Sequence, residues 1–326
     1  MSERQPSLPP AEPAPWSAPQ PGSAHGSPTV LVTGGTGTTG SRVVRMLREE
    51  APSARVRLAS RHPDPDGERA DPGVEAVRFD WRDPLTHAAA LRGADRVYLV
   101  APVAEADPAP LVETFLHAAR RAGVRRVVAL SSSAVAEGAP GLGRVHRMVR
   151  ELFPDGWTVL RPSWFMQNFL GDHPLAEGIR RDGTMVTATG AGRLPFVDAE
   201  DIAAVAVRAL LDDAPHNTAH LVTGPEALDY GTAAEIISRV SGRPVRHQPV
   251  SVAERAARYV AGGYPADFAA ALAELDAAIR DGLQEEVSDV VRRLTGRPPR
   301  SFAAFAQAHR DAWRAPVGAD GRGPAS

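Results

Sequence analysis

Residues 29–40 read TVLVTGGTGTTG, and this stretch limits what the chain can become more than any other. A short apolar, β-branched run passes directly into glycines, and SRVVRMLREE follows with Val43, Val44 and Leu47 at helical spacing. Strand, glycine loop and helix in that order form the opening of a dinucleotide-binding unit. Gly34, Gly37 and Gly40 stand at G-x-x-G-x-x-G spacing, and Thr36, Thr38 and Thr39 fill the positions between them. Glycines allow a tight turn and let the backbone approach a pyrophosphate closely. The N–H groups and dipole at the helix start then meet its charge.

The pattern continues beyond this unit. VRLAS (56–60), VEAVRFD (74–80), RVYLVAP (96–102) and RRVVALSSS (125–133) read as buried strands, with helical stretches such as LVETFLHAARRAG (111–123) between several of them. Strands alternating with helices imply right-handed crossovers and a parallel sheet covered on both faces. The expected class is α/β, an extended Rossmann-type doubly wound sheet with a smaller, mostly helical C-terminal portion. The cofactor-binding domain is expected over 29–165, and a substrate-binding portion that returns elements to the sheet over 166–314. In the latter, TMVTAT and AHLVTG read as strands, DIAAVAVRALLDD and the Ala-rich 251–295 as helices, and a last helix starts at Ser301. Residues 1–28 are rich in Pro, Ser, Ala and Gly and are expected to be a disordered leader, with 315–326 a flexible tail.

Composition then removes whole classes of chemistry. With 37 basic against 39 acidic residues the formal charge is -2, which gives no footprint for nucleic acid or an anionic membrane surface. Every one of those basic residues is Arg. The absence of Lys excludes a lysine Schiff base, and the absence of Cys excludes disulfides, thiolate nucleophiles and zinc–thiolate sites. The N-terminus lacks a signal-type apolar run, and no segment approaches the roughly 20 apolar residues of a membrane span, so a cytoplasmic protein is expected. No metal site is expected, and the oligomeric state is left open between monomer and homodimer.

About 20 residues past the glycines, an NAD-specific site would place a carboxylate for the ribose hydroxyls. Here Arg61 stands at that distance with Ser60 beside it. A guanidinium and a hydroxyl suit a 2′-phosphate, so NADP(H) is favoured over NAD(H). Asp80, with Phe79 or Trp81, is placed to frame the adenine, although a turn or cap role for Asp80 reads equally well. Ala101 and Pro102, at the end of the next strand, are counted with the cofactor contacts.

GGTGTTGSRVVRML, SRHPD, FDW, ALSSSA, LRPSWFMQNF and LPFVDAEDIA together resemble the NmrA-like group of atypical short-chain dehydrogenase/reductases, in particular the branch of bacterial NAD(P)H-binding proteins and ergot-alkaloid iminium reductases. The resemblance spans about 29–314. It implies a cofactor across the C-terminal edge of the sheet with a substrate pocket over the nicotinamide. It also implies that Ser133, with Ser132 as neighbour, matches the superfamily's catalytic serine. The usual Tyr-x-x-x-Lys pair is missing: Leu142 falls at the tyrosine position and His146 at the lysine position. His146 is accordingly a candidate for ribose contact or proton donation, with Arg150 one turn away lowering its pKa. Trp164, Phe165, Met166 and Asn168 are the implied pocket residues. Asp198 or Asp201 reads as the cap of the helix that follows.

Without a phenolic acid, the expected substrate is one that accepts hydride readily: an imine or iminium ion, an enone or a quinone, with a ketone the harder case. The expectation is an NADPH-dependent oxidoreductase acting on a small molecule in specialised metabolism. A cofactor-sensing regulator without turnover and a non-redox cyclase or isomerase are the alternatives on the same scaffold.

Overall fold

A computed structural model describes residues 27–64, 71–102, 105 and 107–313. Nearly all of the expected leader and the whole of the expected tail lie outside these residues. The first half runs β1 (Thr29–Val32), α1 (Gly40–Glu50), β2 (Arg55–Ser60), β3 (Val74–Arg78), α2 (Leu85–Ala90), β4 (Arg96–Val100), α3 (Ala109–Arg121), β5 (Arg126–Leu130), α4 (Leu142–Leu152) and β6 (Trp157–Pro162). These strands and β8 (Thr218–Val222) form a seven-stranded sheet in the order β3-β2-β1-β4-β5-β6-β8, every pair parallel. The order reverses between β1 and β4, which opens a crevice at their carboxyl ends, where ligands of doubly wound sheets bind.

The strands read as continuous apolar runs because both faces are covered. Val30 and Val32 face a core closed by α1, α6 (Ala199–Leu211) and α10 (Val290–Thr295). Leu31, between them, faces the opposite core with Phe115 of α3 and Val145 and Val149 of α4. Full burial of such side chains stabilises the fold by about 1.5–3 kcal/mol each.

The second half contains α5 (Pro174–Asp182), β7 (Thr184–Thr187), α7 (Tyr230–Ser241), β9 (Arg246–Pro249), α8 (Val252–Ala261), α9 (Ala266–Arg280) and α11 (Phe302–Ala308). AHLVTG joins the main sheet as β8, whereas TMVTAT does not: β7 pairs in parallel with β9 as a separate two-stranded sheet. A third core gathers Phe169, Phe196, Tyr230, Phe302, Phe305 and Trp313. Trp313 is fully buried, and its indole N–H donates to the Phe169 carbonyl at 2.7 Å.

His220 of β8 is 5% exposed, with Nε2 2.9 Å from His216 Nδ1, and His216 Nε2 lies 3.0 Å from Asp212 Oδ2. Burial, reinforced by His216, pushes the His220 pKa down to about 4. The unfolded chain therefore binds this proton near pH 6.5 and the folded chain only near 4, so stability is full above 6.5 and falls as pH drops through that window. Between pH 7 and 5 the expected loss is about 2 kcal/mol from this group. Urea unfolding at both pH values should show that difference shrinking in His220→Gln; an identical pH slope would remove His220 as its source.

Candidate active site

Two residues past β1, Gly34 has φ +60, a left-handed conformation that favours glycine, and its carbonyl accepts the Gly37 N–H at 2.9 Å. The loop folds so tightly that a Cβ on Gly40 would stand 2.2 Å from that same carbonyl oxygen. Thr36, Gly37 and Thr38 are exposed, and Thr39 and Gly40 buried. α1 starts without a side-chain cap and with no acid in its first turn. The Ser41 N–H donates to the Gly37 carbonyl at 3.1 Å, and no side chain covers the helix start, so the cradle with its positive dipole end fits a dinucleotide pyrophosphate. Thr33 Oγ1 accepts the Val100 N–H at 2.8 Å and ties the ends of β1 and β4 together beneath the loop.

At the end of β2, Ser60 Oγ accepts the His62 N–H at 3.2 Å. Arg61 is exposed and bonds to no described residue. A groove of about 1070 Å³ opens here, lined among others by Thr36, Arg42, Ser60 and His62. Arg42 and His62 went unnoticed in the sequence, and the groove brings both beside Ser60. Arg42 donates to the Thr38 carbonyl at 2.6 Å and pairs with Glu200 at 3.0 Å. Asp80 accepts the Arg82 N–H at 2.9 Å, the turn geometry weighed above. Phe79 is a core residue, stacked with His87 and edge-on to Phe115, and half-buried Trp81 packs against Phe79 at 4.9 Å. Ala101 is buried and Pro102 half-buried at the end of β4.

The serines follow β5. Ser132 Oγ accepts the Ala134 N–H at 3.2 Å, while Ser133 Oγ donates to Gln284 Oε1 at 3.1 Å. The Ser133 backbone is held by β6: its N–H donates to the Pro162 carbonyl at 2.9 Å and its carbonyl accepts Arg161 Nη2 at 2.9 Å. Arg161 and Gln284 are further residues the sequence did not reveal. For Arg161 the signal was a charge ending the apolar run TVL; for Gln284, 151 positions away from its partner, there was none.

His146 lies on the inner side of α4, 4% exposed, its ring 5.9 Å from that of Trp157. Neither ring nitrogen makes a hydrogen bond, and Glu137 stands 3.9 Å from Nε2. Burial lowers its pKa, Glu137 opposes this, and Arg161 and Arg150 add to it. Tyr98, the one tyrosine of the first half, is fully buried in the sheet and burial drives its phenol upward, so it supplies no acid.

The pocket segment forms a 3-10 turn, Met166–Phe169. Met166 is fully buried in the third core; Trp164, Phe165 and Asn168 are half-buried. The turn is clamped to α6: Gln167 Nε2 donates to Asp198 Oδ1 at 2.8 Å, and Gln167 Oε1 accepts the Ala199 N–H at 2.9 Å. Asp198 caps α6 through the Glu200 N–H and also binds Arg300 at 2.8 Å. Asp201, equally buried, takes Arg297 at 2.9 Å and the Arg300 N–H at 2.7 Å, and burial raises its pKa. Both carboxylates are therefore structural. Among the described residues no group of three or more His, Asp or Glu could hold a metal ion, and no helix is long and apolar enough to cross a membrane.

A doubly wound parallel sheet with a glycine cradle at its switch point defines a dinucleotide-binding scaffold. The sequence signature of the NmrA-like family matches residues 26–294, and the chain belongs to that family. It is 49% identical over 285 residues to the uncharacterized oxidoreductase YesF of Bacillus subtilis (strain 168), covering 87% of this chain and 96% of that protein. It is 38% identical to the agroclavine dehydrogenase of Claviceps fusiformis, covering 87% and 98%. The crystal structure of the Citrobacter sp. triphenylmethane reductase complexed with NADP(H) superposes with a TM-score of 0.74 at 25% identity, over 86% of this chain and 99% of that one. The protein is an NAD(P)H-dependent oxidoreductase.

Proposed function

We propose that the protein is an NADPH-dependent reductase of small organic molecules, acting in specialised metabolism on an imine or iminium ion, an enone, a quinone or a ketone. The observation that carries this reading is the start of α1, free of any side-chain cap, whose glycine cradle opens into the groove lined by Arg42, Ser60 and His62. Gly34 to Gly40 would take the pyrophosphate. Ser60 and Arg61 would take the 2′-phosphate, Asp80 and Trp81 would border the adenine, and Ala101 and Pro102 would line the path towards β5. The bound cofactor supplies hydride; Ser133 and Ser132 would meet the substrate, with Trp164, Phe165 and Asn168 as its walls. His146, buried and without a hydrogen-bond partner on either nitrogen, fits a supporting role under this edge better than proton donation. The proton then comes from water.

NADPH oxidation by the purified protein across a panel of imines, enones and quinones is the direct test, and tight cofactor binding with no turnover on any of them would count against the reading. Arg61 gives a separate test of cofactor choice. A charge-assisted hydrogen bond contributes about 1.5–3 kcal/mol, so Arg61→Glu should weaken NADPH by at least roughly tenfold while NADH changes little. Equal losses for both cofactors, measured by titration, would overturn the 2′-phosphate assignment.

A further inference from the structure

Between α9 and α10 the chain crosses the carboxyl edge of the sheet as a strap, residues 281–289. Its near end is fixed by the Leu283 N–H on the Ala278 carbonyl at 3.0 Å. Its far end is fixed by Ser288, whose N–H donates to Thr223 Oγ1 at 3.0 Å and whose hydroxyl donates to the Leu221 carbonyl at 2.5 Å. Between these anchors the Gln284 side chain reaches Ser133. Ser133 is thus held through its N–H, its carbonyl and its hydroxyl, and the hydroxyl proton is committed to Gln284 Oε1. Gln284 Nε2 keeps two N–H donors, and both residues are half-buried, as groups at a pocket mouth are.

Two exposed apolar side chains stand on the same strap as Gln284. Leu283 is 72% and Val287 45% exposed, and they belong to the same short strap although only three other large hydrophobics of the described residues, Leu85, Val260 and Tyr264, are exposed. Single exposed apolar residues mean little, but two beside a polar pair at the candidate catalytic edge fit a surface that a flat apolar ligand covers.

We propose that Gln284 is a substrate-contact residue: its amide N–H groups, aimed by the bond to Ser133, bind an acceptor atom on a neutral conjugated substrate, such as a quinone or enone, while Leu283 and Val287 cover its apolar body. The inference rests on the reductase reading above and narrows it. An iminium ion offers these donors no lone pair at the reacting bond, and the guanidinium fixed to the Ser133 carbonyl disfavours a cation nearby. Glu285 and Glu286 on the strap are exposed to solvent, which screens their opposing effect. With the cofactor bound, hydride and its two electrons would pass to a carbon of the conjugated acceptor, and the π electrons would move onto the oxygen as an enolate that accepts the Gln284 N–H bond. Water would supply the proton, and for a quinone a further C–H to O–H proton shift through water would complete the hydroquinone, with the oxidised cofactor as the other product.

The test uses the full-length protein saturated with NADP⁺, where no hydride is available, and measures binding of a naphthoquinone and of N-methylquinolinium by calorimetry. Gln284→Leu should weaken the naphthoquinone about tenfold, and leave quinolinium and NADP⁺ affinity within twofold. Ser133→Ala should weaken it less, and the double variant should lose less than the sum of the two single losses. Unchanged naphthoquinone binding in Gln284→Leu with an unaltered melting temperature, equal losses for both ligands, or no binding to the wild type would each overturn the proposal. Gln284-dependent binding without NADPH turnover on any substrate would instead sink the reductase reading and leave the contact standing.

Discussion

Gly40→Ala is expected to abolish dinucleotide binding, with a loss of affinity of at least a hundredfold. The added methyl would stand 2.2 Å from the Gly34 carbonyl oxygen, 2.8 Å from its carbon and 2.9 Å from Gly35 Cα, all of them backbone with no rotamer by which to yield. The start of α1 must move away from β1, and the N–H groups that meet the pyrophosphate move with it. Affinity built on aligned charge-assisted bonds falls steeply with such displacement. Some stability is lost as well, so Gly37→Ala provides the discriminating companion. A Cβ there meets only the Gly34 oxygen, at 3.2 Å, and lies on the exposed side of the loop where the phosphates approach. It should leave the melting temperature within about 2 °C and still weaken NADPH roughly tenfold. Titration of cofactor fluorescence beside thermal melts separates the two, and a Gly40→Ala protein that binds NADPH like the wild type would refute the cradle.

Asp198→Ala should be the most destabilising change near the site, about 3–4 kcal/mol. Asp198 has no exposed surface, caps α6, accepts Gln167 and pairs with Arg300. Removing it leaves an N-terminus uncapped and a glutamine N–H without its acceptor in the interior. Arg300, with 41% of its side chain exposed, can turn to water, which keeps the cost at the lower end of the range for a broken buried pair. Urea unfolding should show the loss, and Asp198→Asn, which keeps an acceptor oxygen, should recover part of it. Because Gln167 sits in the 3-10 turn beside the proposed pocket residues, substrate KM should rise in Asp198→Asn more than cofactor affinity falls. A loss below about 1 kcal/mol in the alanine variant would mean that the turn is held by its core contacts alone.

The first half of the fold was legible because each of its signals is local. A buried parallel strand must be apolar on both faces, and a phosphate-binding turn must be glycine, so β1, the Gly34 to Gly40 loop and α1 could be placed from a dozen residues. Arg61 was picked out by the same kind of signal, a fixed distance along one βαβ unit, and its contact with the cofactor is a proposal for the titration to test. β9 was not: RHQP has no β-branched residue and three of its four residues are polar, and it becomes a strand only because β7 offers it a ladder. Met166 read from sequence as a pocket residue and Phe79 as a neighbour of the adenine, and packing placed both in cores.

By itself, then, the sequence determined the doubly wound class, the cofactor-binding end and the absence of Lys, Cys and the phenolic acid, since these depend on residue type and short-range spacing. The tertiary structure alone decided what surrounds Ser133. Its partners Arg161 and Gln284 are 28 and 151 positions away, and which side chains meet at a sheet edge is set by how crossovers and a C-terminal strap return to it, a matter of packing that leaves no period in the chain.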